Sequence, residues 1–255
     1  MPANYAHYRF GKQVLPELPA HVRQSIQRFR RLYDMGLHGP DIFFYYSPFL
    51  TTAVGNLGSK FHAQTGQEFF THACAQAKTE ADRAYLYGLL GHYCLDSACH
   101  PYVQKQVDSG AARHVELESE FDRYLLEKDG LVPPHAQDMS RHMKLTRGEC
   151  VTVAAFYPPA TPGNVHRSIG NMILAVRFLA SKKRKALEKL MHKMPPTIAD
   201  QLMPTAPNRH CTHLNKGMQA YYDRALARYP VLLEQLTAHM TTGEPLGEDF
   251  AANFG

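Results

Sequence analysis

The stretch that decides the fold is Tyr85-Leu86-Tyr87-Gly88-Leu89-Leu90-Gly91-His92-Tyr93-Cys94-Leu95-Asp96, which continues as Ser97-Ala98-Cys99-His100. It is apolar almost all round, a composition typical of a helix buried in the middle of a protein. Thr79 and Asp82 precede it with the spacing of an amino-terminal capping pair. We therefore predict a central buried helix that begins near residue 80.

Two glycines and a proline refine this prediction. Gly88 and Gly91 are costly inside a helix, so they indicate that another backbone or a ligand comes close at their level. Pro101 cannot donate a backbone hydrogen bond, and it should mark the end of the helix or a kink.

On both sides of this stretch, most long segments carry apolar residues at intervals of three and four, whereas the strict alternation of apolar and polar residues that is typical of strands is scarce. The sequence therefore predicts an all-α fold, with helices over residues 20–34, 109–128, 164–193 and 214–240. Residues 131–163 are rich in proline and glycine and should form an irregular connector or lid with one short helix. The tail, residues 243–255, is expected to be a surface extension without a clear element.

Composition favours a globular protein. Of the 255 residues, 44% are hydrophobic and 20% are charged, which predicts one domain over residues 1–255. Within it, residues 1–128 would bear the functional groups and residues 164–255 would form carboxyl-terminal helices. No secretory signal and no apolar run of about 20 residues is evident, so a cytoplasmic protein without a transmembrane segment is expected. The five cysteines are an odd number and should be reduced thiols.

A row of potential metal ligands lies on the central helix. His92, Asp96 and His100 are spaced by four residues, so a helix places them on one face. The first and last backbone positions are roughly 12 Å apart, which is too far for comfortable coordination of one ion. The row therefore predicts two metal ions or more, with the carboxylate of Asp96 as the bridge between them.

A pair of potential ligands on the next predicted helix supports the prediction of a metal site. His114 and Glu118 repeat the four-residue step on the next predicted helix, and together the five side chains offer the nitrogen and oxygen ligands that suit zinc. One buried histidine is usually a hydrogen-bonded core residue, but five such coincidences favour a metal. An aspartate in an apolar helix must moreover be paired, protonated or metal-bound to offset its desolvation.

The sequence resembles the zinc-dependent phospholipase C family. Six segments carry the resemblance: Met1-Pro2-Ala3-Asn4-Tyr5-Ala6-His7-Tyr8, Gly39-Pro40-Asp41-Ile42-Phe43-Phe44-Tyr45, the region of His62, the stretch from Tyr85 to Asp96, His100-Pro101-Tyr102-Val103, and His114 through Glu118 to Asp122. Characterised relatives are helical phospholipases C and, more distantly, single-strand-specific zinc nucleases, with three zinc ions in a cleft. The resemblance implies the same fold, with a metal cluster in a cleft between central helices.

The resemblance also implies a set of ligands. A first zinc would be held by Asp41, His62, His92 and Asp96, and a second by His100, His114 and Glu118. A third would take His7, Asp96 and the amino-terminal residue, which is Pro2 if Met1 is removed. Two to three Zn²⁺ ions are thus expected, and Asp41 would also orient or deprotonate the attacking water.

The predicted function is zinc-dependent phosphodiester hydrolysis of the phospholipase C type, in which a zinc-activated water attacks phosphorus. A zinc nuclease is the alternative within the same chemistry, since phospholipid and single-stranded nucleic acid are both anionic. A non-catalytic, metal-stabilised binding protein is the alternative from another class.

Two further features leave the partner open. The aromatic run from Phe43 to Tyr46 suits an apolar cleft, base stacking or core packing. The basic run Lys182-Lys183-Arg184-Lys185 suits a solvated helix face, a phosphate contact or peripheral contact with a membrane.

Overall fold

The computed structural model describes residues 4–181 and 183–255. Within these ranges the chain is helical and contains no β-strand, so the prediction of an all-α fold is confirmed. The α-helices are α1 (Asn4–Val14), α2 (Ala20–Arg28), α3 (Arg30–Gly36), α4 (Leu57–His62), α5 (Gly66–Gln76), α6 (Glu80–Asp108), α7 (His114–Lys128), α8 (Arg147–Ala155), α9 (Pro162–Leu179), α10 (Arg184–Met191), α11 (Pro196–Ala199) and α12 (Asn215–Thr242). Short 3₁₀ segments span Leu15–Glu17, Gly39–Tyr45, Pro134–Ala136, Thr212–Leu214 and Glu248–Phe250.

Helix α6 is the central helix that the sequence predicts. It begins with a reciprocal capping box, in which the Thr79 hydroxyl accepts from the Asp82 amide and the Asp82 carboxylate accepts from the Thr79 amide. Most of its residues from Ala84 to His100 are buried. The helix continues through Pro101 to Asp108, so the proline does not end it.

Close backbone packing explains one of the two glycines in this helix. A side chain at Gly88 would meet the backbone carbonyl of Tyr33 on α3, which lies directly against α6. Gly91 meets the side chain of Leu37 instead. The long helix α12 packs on another side of α6, so both neighbours hold α6 inside the core.

Three helix boundaries differ from the predictions. The predicted helix 20–34 is two helices, because the chain leaves helical geometry at Phe29. The predicted helix 109–128 begins only at His114, after a turn in which Gly110 has a positive φ of 72°. The predicted helix 164–193 is split into α9 and α10. In each case the apolar periodicity continues across a turn, so it did not reveal the break.

Between α7 and α9 the chain is mostly irregular, with the 3₁₀ segment Pro134–Ala136 and one short α-helix, α8. It is nevertheless well anchored, because Met143 is buried and His142 stacks on Tyr8 with ring centroids 3.9 Å apart. The Nε2 atom of His142 also lies 2.8 Å from Nε2 of His38, close to the start of the Gly39–Tyr45 segment.

The prediction for the carboxyl-terminal tail was wrong. Residues 243–255 are not only a surface extension, since Phe250 and Phe254 are completely buried. The tail returns to the ends of α4 and α5, where the Gly66 amide donates to the carbonyl of Ala252 at 2.8 Å. Among the described residues, none of the helices is long and apolar enough to cross a membrane.

Candidate metal centre

The structure brings all eight predicted ligands into one cluster. They come from five elements of the fold: His7 from α1, Asp41 from the Gly39–Tyr45 segment, His62 from the end of α4, His92, Asp96 and His100 from α6, and His114 and Glu118 from the first turns of α7. Seven of them are buried, and the His114 side chain is 39% exposed. The cluster is therefore largely enclosed, with His114 on its open edge.

Asp96 lies at the centre of the cluster. Its Oδ1 atom is 3.1 Å from Nε2 of His7 and 4.0 Å from Nε2 of His100. Its Oδ2 atom is 3.2 Å from Nε2 of His92 and 3.6 Å from Nε2 of His62. Each oxygen thus faces a different pair of histidines, which is the geometry that a bridging carboxylate requires.

The turn that carries Asp41 lies on the His62 side of the cluster. Asp41 Oδ1 is 3.0 Å from Nε2 of His62 and 4.0 Å from Nε2 of His92. Gly39 makes this approach feasible, because it has a positive φ of 49° and a Cβ at that position would collide with the His92 ring. The absence of a side chain at Gly39 therefore lets the turn that carries Asp41 pack directly on the His92 ring.

On the other side, Glu118 joins two helices. Its Oε1 atom is 3.3 Å from Nε2 of His100 on α6 and 3.1 Å from Nε2 of His114 on α7. Three groups of residues could each hold a metal ion, because within each group the potential ligand atoms lie within 4.8 Å of one another. The groups are His7, Asp41 and His92; His62, His92 and Asp96; and His100, His114 and Glu118. His7 is thus within reach of Asp41 and His92 as well as of Asp96.

Unsatisfied polar atoms show that this arrangement fits metal ions. Buried side-chain polar atoms are nearly always hydrogen-bonded in folded proteins. Six such atoms in this cluster have no hydrogen-bond partner among the described residues: His7 Nδ1, Asp41 Oδ1, His62 Nε2, His92 Nε2, Asp96 Oδ2 and Glu118 Oε2. Imidazole nitrogens and carboxylate oxygens that converge in this way are well placed for divalent cations.

The outer ring nitrogens of three histidines are anchored by backbone carbonyls. Nδ1 of His62 donates to Gly58 at 2.8 Å, and Nδ1 of His92 donates to Leu37 at 3.2 Å. Nδ1 of His100 donates to Phe254 at 2.7 Å. A carbonyl only accepts, so each Nδ1 carries a proton and each Nε2 faces the cluster, where it offers a lone pair once its own proton is lost.

The charges of the cluster are strongly coupled in the metal-free protein. Burial alone would lower the pKa of His62, but the carboxylates of Asp41 and Asp96 raise it to about 10. Asp96 and Glu118 likewise offset burial and raise the pKa of His100 to about 9. Burial dominates at His92 and lowers its pKa to about 4. Protons therefore hold part of this cluster together, and a metal cation would have to displace them.

The neighbouring histidines in turn affect the carboxylates. Although burial opposes ionisation, His92, His100 and His7 hold the pKa of Asp96 well below its usual range. The pKa of Glu118 is also lowered, by His114 and His100 against the effect of burial. Both carboxylates are ionised at neutral pH, as metal binding requires.

Phe254 is a part of the site that the sequence did not reveal. Its carbonyl anchors His100, while its amide donates to the carbonyl of His62 at 3.1 Å. Its ring lies 5.9 Å from the His62 ring and 6.0 Å from the His92 ring, measured between centroids. The tail thus contacts three predicted ligands. No local sequence pattern marks this role, because the contacts span more than 150 residues.

Asp122 is a second contributor that was not singled out. Its carboxylate accepts from the backbone amides of Tyr5 at 2.9 Å and Ala6 at 2.8 Å, which fixes the first turn of α1 and hence His7. Burial raises the pKa of Asp122 to about 7. Its position four residues after Glu118 on α7 was the available signal, since helical spacing places both carboxylates on one face.

Two kinds of surface adjoin the cluster. Near His114, the structure has a groove of about 240 Å³ that also contacts His100 and Gly255. Near His62, the ring of Phe44 lies 5.6 Å from the His62 ring, between centroids, and lines an apolar groove of about 590 Å³. Residues 1–3 lie outside the described part of the chain, so the predicted contribution of Pro2 stays a prediction.

The fold and site define an all-helical protein with a buried histidine and carboxylate cluster suited to several divalent cations. The family model described as zinc dependent phospholipase C matches residues 6–158, which is more than half of the chain. The chain therefore belongs to the zinc-dependent phospholipase C family, and the matched part contains all eight predicted ligands. Searches of curated proteins and of solved structures gave no significant match.

Proposed function

We propose that this protein is a zinc-dependent phosphodiester hydrolase of the phospholipase C type, with phospholipid as its substrate class. The observation that carries the proposal is the buried cluster of ligand atoms that lack hydrogen-bond partners. Family membership supports zinc as the metal. When bound, zinc supplies positive charge to phosphoryl oxygens and lowers the pKa of a bound water toward neutrality.

We assign the ligands in three sets. Asp41, His62, His92 and Asp96 form the first set, and His100, His114 and Glu118 form the second. The third consists of His7, Asp96 and the amino-terminal residue. In this assignment Asp96 belongs to two sets, which its two differently directed oxygens support.

The chain's own residues prepare the reaction. The backbone carbonyls of Gly58, Leu37 and Phe254 fix the orientation of three histidines, so little reorganisation is needed. We assign to the Asp41 carboxylate the orientation of the attacking water and the acceptance of its proton. The exposed edge at His114 supports a catalytic cluster rather than a closed structural one.

The apolar groove next to His62 favours phospholipid over nucleic acid. Its lining includes Phe44, Leu174, Phe178 and Leu190, and it has few polar groups with which to bind bases. A phosphodiester bound at the cluster could therefore direct an apolar substituent into this groove.

The test begins with zinc content and substrate range. The purified protein would be analysed for zinc and screened with phosphatidylcholine, single-stranded nucleic acid and small phosphodiesters. We expect two to three zinc ions per chain and the release of diacylglycerol and a phosphorylated headgroup from the lipid. Nucleotide release from nucleic acid, without lipid cleavage, would replace this proposal by the nuclease alternative.

Variants separate catalysis from folding. Asp96→Asn should lose zinc and nearly all activity, whereas Asp223→Asn, on the exposed face of α12, should keep both. Circular dichroism would establish that each variant is folded, and Asp41→Asn is the second variant should Asp96→Asn fail to fold. Full activity in Asp96→Asn would refute the assigned chemistry. Zinc bound without hydrolysis of any phosphodiester would favour the non-catalytic alternative.

A further inference from the structure

An apolar groove lies on the protein surface, and one of its lining residues, Phe44, contacts His62 of the metal centre. It lies between α9, α10, α11 and the loop after the Gly39–Tyr45 segment, and its volume is about 590 Å³. Several of its large apolar side chains face solvent: Phe49 is 75% exposed, Leu174 is 66% exposed and Phe178 is 50% exposed. Single exposed apolar residues are ordinary, but a contiguous set of this kind marks an interaction surface.

Helical geometry explains how this surface is built. Leu174 and Phe178 are four residues apart on α9, so they lie on one face and point the same way. Leu190, on α10, forms the opposite wall, and Phe49 projects from the preceding loop. The apolar side chains of three separate segments thus form one continuous face.

Positive charge is concentrated beside this groove. Residues 161–199, which include α9, α10 and α11, contain eight lysines and arginines and one acidic residue, Glu188, for a net charge of +7. The whole chain has a net charge of +5, so the remainder has a net charge of −2. The charge asymmetry of the protein therefore resides in the helices that line the groove.

The lysines on α10 and at its two ends are exposed and can contact a partner. Lys183, Lys185, Lys189 and Lys193 are all exposed. Lys189 precedes the groove residue Leu190, so cationic groups border apolar ones. Lysine stems can lie along apolar surface while their ammonium groups reach an anionic layer.

We infer that this face docks on the surface of an anionic phospholipid bilayer. Phe49, Leu174 and Phe178 enter the boundary between headgroups and acyl chains, while the lysines of α10 contact anionic headgroups. A nucleic acid would match the positive charge but not the apolar groove, and an apolar protein partner would not require the positive charge. Both features together fit a lipid surface.

The docked orientation has a consequence for the metal centre. Phe44 lines the groove and also contacts His62, with ring centroids 5.6 Å apart. A lipid drawn into the groove would bring its phosphodiester toward the cluster. This consequence rests on the proposed function, whereas docking itself requires no catalysis.

The experiment measures binding of the zinc-loaded full chain to sedimenting vesicles. One set contains phosphatidylcholine alone, and the other contains phosphatidylcholine with about a third phosphatidylglycerol. We expect binding to the anionic vesicles, at least tenfold weaker binding to the neutral ones, and release by concentrated salt because salt screens exposed charges. Intact lipid is quantified in the same samples so that binding and hydrolysis are recorded separately.

Two double variants test the two components of the surface. Lys185→Gln with Lys189→Gln should weaken binding to anionic vesicles roughly 25-fold, since each basic residue near such a surface contributes roughly fivefold. Phe49→Ser with Phe178→Ser should weaken binding to them at least about tenfold, because apolar insertion is lost. The matched controls are Lys105→Gln and Val151→Ser, which change exposed residues outside the groove and should bind like the wild type.

The outcomes distinguish docking from activity. The lysine double variant and both controls change exposed residues that do not line the groove, so hydrolysis of a soluble, monomeric phosphodiester should be unchanged in them. The phenylalanine double variant changes groove residues and is therefore judged by vesicle binding alone. Equal binding to neutral and anionic vesicles, or variants that bind like the wild type, would overturn the inference. So would tighter binding to single-stranded RNA than to anionic vesicles. Vesicle binding without hydrolysis of any phosphodiester would refute the proposed function while leaving docking intact.

Discussion

Removing the Phe254 side chain tests whether the tail completes the metal centre. The ring is completely buried and packs against other aromatic rings, including Phe69 at 5.2 Å and Tyr93 at 5.0 Å between centroids. Replacing a buried phenylalanine with alanine typically costs 3–5 kcal/mol through lost transfer energy and the cavity left behind. We expect Phe254→Ala to lower the free energy of unfolding of the zinc-free protein by about 4 kcal/mol.

The same substitution should weaken metal binding. Once the ring is lost, the tail is held less firmly, and its carbonyl no longer fixes Nδ1 of His100. The loss of such an outer contact typically reduces metal affinity 10- to 100-fold. Phe254→Leu keeps most of the apolar volume and should cost less than about 1.5 kcal/mol and leave zinc affinity nearly unchanged.

Urea unfolding followed by circular dichroism measures the stability, and competition with a chelator measures the zinc affinity. Phe49→Ala is the matched control, because that phenylalanine is 75% exposed and its loss should cost less than about 0.5 kcal/mol. A loss below about 1 kcal/mol in Phe254→Ala, with zinc affinity within twofold of the wild type, would show that the tail is not part of the centre.

Three further predictions follow from the site. Zinc binding at pH 8 should release about two protons, because the pKa values of His62 and His100 are about 10 and 9, and the zinc affinity should rise with pH up to that range. Calorimetry in buffers of different ionisation enthalpy measures the number of protons released, and a value of zero would contradict this prediction. Because the pKa of Asp122 is raised to about 7, its protonated carboxyl stabilises the folded zinc-free protein below pH 4, and this stabilisation is lost as the pH rises to 7. The free energy of unfolding of Asp122→Asn, relative to that of the wild type, should therefore increase over this interval by up to about 4 kcal/mol. Urea unfolding at each pH measures the difference, and a constant difference would argue against the raised pKa. Gly39→Ala should lower the free energy of unfolding by more than about 2 kcal/mol and reduce the zinc content, because the new side chain would collide with the His92 ring. Gly110→Ala is the control: its φ is also positive but the space around it is open, so the substitution should cost only about 1 kcal/mol. Equal costs for the two variants would exclude the collision.

The local sequence pattern was sufficient to predict the central helix and the potential metal ligands on it. The four-residue spacing of His92, Asp96 and His100 depends only on helical geometry, and the structure places all three side chains in the cluster. The capping box at Thr79 could also be predicted, because it involves residues only three positions apart. The resemblance supplied Asp41 and His62, whose proximity to α6 no periodicity in this chain could have shown.

Other features depend on contacts between distant parts of the chain. The break between α9 and α10 lies inside one continuous apolar pattern, which is why the sequence predicted a single helix there. The groove beside them exists only because the loop after the Gly39–Tyr45 segment folds against α9.

The all-α class, the central helix and the row of predicted ligands on one of its faces could thus be predicted from the amino-acid sequence. The contacts by which Phe254 anchors His100 and Asp122 fixes the helix bearing His7 became visible only in the folded chain. The difference lies in the range of the interactions. Helical spacing acts over a few residues, whereas these contacts join residues more than 100 positions apart and form only when the whole chain packs around α6.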